Sequence, residues 1–165
     1  VPAEPYTVPL GKARVLAAGS DVTIVGISQT AADCLRAREA LLDAQIAAEV
    51  IDPVSLSPLD VNTIADSVRR TGRLLVVDCA WTCCGAGAEI VTAVAEALGG
   101  ETDFRFRRLG FAPVVCPTAK SLEQHFYPSP GSIALAAHEL VHGRKSDWQP
   151  PIESAAEPIE FRGPF

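Results

Sequence analysis

Thiols and imidazoles are the side chains of this sequence best suited to chemistry. Cys79, Cys83, Cys84 and Cys116 lie in segments that can converge at the carboxyl edge of one sheet, and Cys84 stands just before a helix start, where a thiol pKa is expected to be lowered. A zinc site needs well-spaced ligands, usually with two residues between paired cysteines, and neither the Cys79 to Cys83 spacing nor the adjacent Cys83-Cys84 pair suits it. The cysteines therefore read first as small, partly buried, weak hydrophobes. His138 and His142 stand four apart and share a helix face, a spacing that metals use. The pair is read as lacking both a glutamate of the His-Glu-x-x-His type and an evident third ligand. The pair is expected on the solvent side of its helix, with His142 placed favourably against the helix dipole. His125, beside Phe126-Tyr127-Pro128, has no partner visible in sequence and reads as an exposed or satisfied histidine. There is no serine elbow, no Gly-Lys-Ser/Thr phosphate loop and no acid pair.

The thiols sit around the stretch that organises the chain. Residues 74–77, Leu-Leu-Val-Val, form a continuous apolar run ended by Asp78, as expected of a strand covered on both faces and lying at the centre of a parallel sheet. A loop with Trp81 and the two cysteines follows. Gly85-Ala-Gly87 then opens a helix in which Ile90, Val91, Val94 and Leu98 recur at helical spacing until Gly99-Gly100 stops it. Such a turn can hold a phosphate. Here Ile90 replaces the third glycine of a dinucleotide fingerprint and Glu89 places a negative charge in the first helical turn, so close packing of helix on sheet is the better explanation of the small residues.

The other elements alternate around this unit. Residues 1–12 carry prolines and little periodicity and read as a linker from an upstream domain. A short strand within residues 11–19 is followed by a strand over 22–27. A helix from Thr30 to near Ala44 is expected to start with a capping-box-like Thr30 and Asp33 and to bury Cys34, Leu35, Leu41 and Leu42. A buried strand over 46–51 is broken by Asp52-Pro53. Asp60 leads into a helix with Val61, Ile64, Ala65 and Val68 on one face, whose dipole Arg69 and Arg70 are expected to cap before Gly72. Residues 104–109 alternate like a half-exposed strand near a sheet edge. Residues 110–130 hold four prolines around a helical candidate at 122–126, a loop long enough to be functional or bound to something. Ser129-Pro130 starts the last helix, with Ile133, Ala136, Ala137, Leu140 and Val141 as its buried stripe and Gly143 as its end. Residues 144–165 form an extended tail whose Trp148, Ile152, Ile159, Phe161 and Phe165 should lie along a surface. Strand and helix in alternation give an α/β class with a mainly parallel, doubly wound sheet, and residues 13–143 form its folded domain.

Composition narrows the function. A length of 165 residues supports one core without staples, and a net charge of −6 argues against a general nucleic-acid surface. No apolar run reaches membrane-spanning length, and no positively charged start precedes an apolar signal segment; the expectation is a soluble, cytoplasmic domain. Five cysteines in an α/β pattern read as reduced thiols. The sequence has no methionine, not even at position 1, so a fragment or processed piece of a longer protein is expected.

Six segments in succession carry a resemblance: Tyr6-Thr-Val-Pro-Leu-Gly-Lys-Ala13, Asp21-Val-Thr-Ile-Val25, Ala48-Glu-Val-Ile-Asp52, Leu56-Ser-Pro-Leu-Asp60, Thr71-Gly-Arg-Leu-Leu-Val-Val-Asp78 and Gly85-Ala-Gly-Ala-Glu-Ile90. Together they resemble the carboxyl-terminal domain of the beta subunits of thiamine-diphosphate-dependent 2-oxo acid dehydrogenases, over about positions 6 to 141, and Pro113, Pro117, Leu122-Glu123 and Tyr127-Pro128 look like that family's segment before its last helix. Transketolases close with the same domain type. The resemblance implies a three-layer α/β/α domain with a five-stranded sheet and one antiparallel edge strand, in an α2β2 or dimeric enzyme. It implies that thiamine diphosphate and magnesium sit between other domains, since the Gly-Asp-Gly metal motif is absent here. It further implies an assembly element that forms homodimer contacts, meets an alpha subunit or an upstream thiamine-diphosphate-binding domain, and helps dock the acyltransferase core. Cys79, where the family often has an acidic residue, and the Cys83-Cys84 pair depart from its pattern. No catalytic, cofactor or metal residue is expected in this domain. Trp81, Leu122, Glu123, Phe126 and Tyr127 are the candidate interface residues, because aromatic anchors on loops dominate interfaces. The rivals are the carboxyl-terminal domain of a transketolase-like enzyme, a stand-alone thiol redox module using Cys79, Cys83 and Cys84, and a nucleotide module at Gly85-Ala-Gly87.

Overall fold

A computed structural model describes residues 6–151. Five strands, β1 (Arg14–Ala17), β2 (Val22–Gly26), β3 (Ala48–Asp52), β4 (Arg73–Trp81) and β5 (Arg105–Phe111), form one sheet in the order β1-β3-β2-β4-β5. β1 runs antiparallel to β3 at one edge and the other pairings are parallel, with Ile24 in register with Val50 on one side and Leu75 on the other. The strands alternate with helices α1 (Thr30–Asp43), α2 (Val61–Thr71), α3 (Ala86–Leu98), α4 (Lys120–Glu123) and α5 (Pro130–His142). The expected α/β architecture with one antiparallel edge is borne out. The 74–77 strand is interior but not central: β2, buried along its whole length, holds the middle.

Alternation along each strand sorts the core into two layers. Val22, Ile24, Val50, Leu75 and Val77 face α1 and α5; Val25, Ile51, Leu74 and Val76 face α2 and α3. The α2 side also takes polar groups, each with a partner. The Thr23 hydroxyl stands 2.6 Å from that of Ser67 and 2.8 Å from that of Thr71, and buried Glu49 accepts from Arg70 at 2.6 Å. Arg70 is therefore tied to a buried carboxylate as well as lying near the end of α2, and Arg69 pairs with Asp66 on the surface.

Helix ends follow the sequence at most places. Asp60 caps α2, Ser129 caps α5 through a reciprocal bond with Ser132, and α2, α3 and α5 each end on a left-handed glycine. α1 departs from expectation: its N-cap is Gln29, without a side-chain bond, and the Thr30 hydroxyl instead donates to the carbonyls of Ile27 and Val77, each at 2.9 Å. Its stripe also differs, because Ala37 and Ala40 are buried beside Cys34 and Leu41 while Leu42 is exposed. Small residues on this face let α1 and α5 approach closely. The short helix of the proline-rich segment covers Lys120–Glu123, two residues earlier than expected, and β4 continues past Asp78 to include Trp81.

Candidate functional site

The expected interface residues cluster where β4 and β5 end. The last pairing of these strands joins Trp81 to Phe111, beyond an irregularity that starts at Val77. The Trp81 indole N–H donates to the Ala112 carbonyl at 3.1 Å, and the Ala112 N–H donates to the Phe126 carbonyl at 2.9 Å, so the proline-rich segment folds back over the strand ends. Four rings meet there. Phe111 and Phe126 lie 4.8 Å apart by centroid, Tyr127 meets both edge-on at 5.2 and 5.0 Å, and Trp81 meets Phe111 edge-on at 5.8 Å.

The cluster has an inner member and an outer face. Phe126 is only 4% exposed, so its ring pins the segment from below rather than presenting itself to a partner. Trp81 is 50% exposed, Leu122 57% and Tyr127 45%, and Glu123 is half-buried at the end of α4. Phe111, Val114 and Val115 were not anticipated from sequence, although two β-branched residues between Pro113 and Pro117, with no periodicity to bury them, are a legible sign of exposure. Val115 is 89% exposed, and together these residues form an apolar surface on a loop.

The cysteines do not converge as expected. Cys83 and Cys84 stay together, Sγ to Sγ 3.8 Å, while Cys116 lies 3.7 Å from the Tyr127 hydroxyl and Cys79 is exposed on β4. Among the described residues no three of histidine, cysteine, aspartate and glutamate gather to hold a metal. The Cys84 thiol is pushed up, not down: sharing a hydrogen bond with the Cys83 sulfur makes loss of its proton harder, and a neighbouring thiolate adds repulsion. Cys116 acts on the Tyr127 hydroxyl in the same way and pushes its pKa up. Cys34 is buried in the core, and desolvation, with Asp33 next to it, raises its thiol pKa.

The glycine turn at the α3 start is shaped by packing. A Cβ on Gly85 would overlap the Trp81 carbonyl and lie 3.3 Å from Asp78 Oδ2, and one on Gly87 would lie 3.3 Å from a Val76 methyl. The adjacent crevice between β2 and β4, where helices leave for opposite faces of the sheet, is closed by the Ile27 N–H donating to the Val77 carbonyl at 3.0 Å and by Thr30. Asp78, buried with its Oδ2 unpartnered, and Glu89 in the first turn of α3 place two carboxylates at this end. A second, open cleft of about 460 Å³ lies at the ends of β2 and β3 between Arg14, Ser28, Asp52 and Val54.

The histidine pair corrects the sequence reading. His138-Glu139-Leu140-Val141-His142 does spell the His-Glu-x-x-His pattern. Its glutamate is engaged elsewhere, accepting from Arg107 at 2.5 Å and from the Ser146 N–H at 3.3 Å, and these bonds, set against partial desolvation, hold its carboxyl below the usual range. His138 is not on the solvent side. Trp148 of the tail stacks on it at 4.5 Å and 11°, its Nδ1 is buried without a partner, and burial, then the charge of His142, lowers its pKa against the opposing pull of Glu139. The tail residues beyond 151, Ile152, Ile159, Phe161 and Phe165 among them, lie outside the described residues, as do residues 1–5 of the expected linker.

Comparison with known proteins agrees with this architecture. The family model described as transketolase, C-terminal domain matches residues 11–133. The chain is 36% identical over 140 residues to the mitochondrial pyruvate dehydrogenase E1 component subunit beta of Dictyostelium discoideum, covering 85% of this chain and 39% of that protein. It is 40% identical over 137 residues to the corresponding subunit of Pisum sativum, covering 83% and 38%. It is 35% identical to the acetoin:2,6-dichlorophenolindophenol oxidoreductase subunit beta of Bacillus subtilis, covering 86% and 41%. A solved structure described as a split gene transketolase, inactive beta4 tetramer, superposes with a TM-score of 0.72 at 28% identity, covering 83% of this chain and 44% of that one. The chain thus spans about two fifths of the length of these curated relatives. No helix among the described residues is long and apolar enough to cross a membrane. With the sheet order, the antiparallel edge and a family match over most of its length, the chain belongs to the transketolase carboxyl-terminal domain family, and the resemblance to dehydrogenase beta subunits expected from sequence is borne out in the relatives it matches.

Proposed function

We propose that this chain is the carboxyl-terminal assembly domain of the beta subunit of a thiamine-diphosphate-dependent 2-oxo acid dehydrogenase of the pyruvate or branched-chain type. The observation that carries this reading is the exposed apolar surface of Trp81, Val114, Val115, Leu122 and Tyr127, pinned from beneath by Phe126. Rigid aromatic anchors on a supported loop suit subunit contacts, where a few such groups supply most of the affinity. The partners in this reading are a second copy of the chain, an alpha subunit or upstream thiamine-diphosphate-binding domain, and the acyltransferase core.

Thiamine diphosphate and magnesium belong elsewhere in the full enzyme on this reading. The residues present here do not fit a diphosphate: Thr30 fills the crevice at the strand ends, and Asp78 and Glu89 meet the α3 N-terminus where an anion would lie. The contribution of this domain to catalysis is then indirect, through holding subunits together. A cytoplasmic setting belongs to the same proposal, since the two apolar layers of the core hold this domain without need of disulfide staples.

The test is mixing. Purified chain combined with an upstream thiamine-diphosphate-binding piece should form a complex that gains 2-oxo acid decarboxylase activity absent from either part. A chain that stays monomeric and adds nothing to the upstream piece would remove the proposal.

A further inference from the structure

Cys83 and Cys84 are adjacent, both exposed, and hold their sulfurs 3.8 Å apart. One soft atom bonded to two sulfurs at about 2.3 Å each spans sulfurs roughly 3–4 Å apart, so the pair already has the bite of a chelate. Its loop is supported from several directions. The Thr82 carbonyl accepts from Arg108 Nη1 at 2.6 Å, and Gly110 of β5 lies so close beneath that a Cβ there would overlap the Ala80 carbonyl. Gly85 is pressed in the same way against the Trp81 carbonyl, and α3 follows at once. Cys84 itself takes φ of 57°, a left-handed value rare for a non-glycine residue, which fixes the direction of its Cβ. A dithiol held like this binds with little further loss of conformational freedom.

The donor set selects the ligand. Zinc needs three or four protein ligands, and among the described residues no third histidine, cysteine, aspartate or glutamate joins this pair. Cys116 is engaged with Tyr127, and Cys79 lies on the strand rather than in the loop. Two adjacent thiols without a third donor suit a centre that has two exchangeable positions and carries its remaining substituent with it.

We propose that Cys83 and Cys84 form a covalent two-point capture site for trivalent organoarsenic compounds of the R–As=O class. Both S–H bonds and the As=O bond break, two As–S bonds form, and the two protons leave with the oxygen as one water. Arsenic stays trivalent, so no oxidant or reductant takes part.

The probe is phenylarsine oxide, added to the reduced full chain and followed by intact mass and by counting free thiols. The expected result is one adduct per chain, formed with loss of one water and two thiols, and released by a dithiol but not by an equal concentration of a monothiol. Cys83→Ser and Cys84→Ser should each weaken capture by about 100-fold or more, because the second As–S bond is intramolecular and its loss removes a high effective concentration. Cys79→Ser and Cys116→Ser should leave capture unchanged. Peptide mapping of the wild-type adduct should find both bonds in the one peptide that holds Cys83 and Cys84, which keeps the test independent of how any variant folds. No adduct on the folded chain, an adduct bridging Cys79 or Cys116, or undiminished capture by Cys83→Ser would overturn the proposal.

Discussion

Replacing Asp60 by alanine removes three hydrogen bonds at one point where β1 and α2 are joined. Asp60 is 7% exposed; its Oδ2 accepts from the Ala13 N–H at 3.1 Å and from the Thr63 hydroxyl at 2.8 Å, and its Oδ1 accepts from the Thr63 N–H at 3.3 Å. Loss of the N-cap costs about 1 kcal/mol in typical helices. Loss of a charged acceptor from the Ala13 N–H, which is partly buried, adds about 1.5 kcal/mol at the low end of such bonds. Together the substitution should cost about 2–3 kcal/mol, read as a fall in urea midpoint at constant slope, or about 4–12 °C in melting temperature for a chain of this size. Asp60→Asn keeps one acceptor oxygen and should cost about half as much. The penalty should also depend on pH. Burial alone would raise the carboxyl pKa, but the bonds from Ala13 and Thr63 and the charge of Lys12 outweigh it and hold the folded value below that of the unfolded chain. A depressed folded value means that the stabilisation is complete above the unfolded pKa of about 3.9 and disappears as pH falls through the folded value. The difference between wild type and Asp60→Ala should therefore be constant from neutral pH down to about 5 and shrink in stronger acid. A penalty below about 0.5 kcal/mol at neutral pH, or one that grows in acid, would refute the assignment of Asp60 as the junction.

Two other substitutions test the sheet ends and the tail. Thr30→Val keeps the shape of the side chain but leaves the Ile27 and Val77 carbonyls without its hydroxyl, and should cost about 1–2 kcal/mol in urea unfolding; a neutral result would mean that the crevice at the strand ends is not closed by this group. Trp148→Ala should uncover His138 and return its pKa upward toward the ordinary value of about 6.5, measured by titrating the ring protons in NMR. The wild-type imidazole has a depressed pKa, so its neutral form is favoured by folding, and the domain should lose that contribution as pH falls through the unfolded value; an unchanged His138 titration in Trp148→Ala would refute the stacked arrangement.

Most of the fold was legible because its signals are local. The apolar runs of β2 and β4, the periodic stripe of α3, the Ser129-Pro130 start of α5 and the glycines after α2, α3 and α5 each act within a few residues. What escaped depends on partners distant in sequence. Thr30 looks like a cap until Val77 supplies a second acceptor, 47 positions away, and Arg70 looks like a dipole cap until Glu49 comes to lie beneath it. The continuous apolar run of β4 reads as a strand covered on both faces and so as the centre, yet the strand order depends on the crossover of α2, which periodicity does not encode. The histidines were read from spacing alone, although Glu139 completes a motif in the sequence; only the Arg107 and Ser146 contacts and the stacked Trp148 explain why that motif does not make a metal centre here. The site was legible as a cluster of aromatic residues, but not its depth. Phe126 and Tyr127 are neighbours in sequence, and the turn that buries one and exposes the other is set by the Ala112 N–H bond to the Phe126 carbonyl.

The assembly role is tested most directly by sedimentation of the wild-type chain and of Leu122→Asp, each alone and mixed with the upstream thiamine-diphosphate-binding piece. Leu122 is 57% exposed on α4, so a charge there should leave the melting temperature unchanged while opposing any apolar contact at the Trp81 and Tyr127 surface. The wild type should self-associate and join the upstream piece, and Leu122→Asp should remain monomeric in both conditions. A monomeric wild type that ignores the upstream piece, or a Leu122→Asp chain that assembles as well as the wild type, would contradict it.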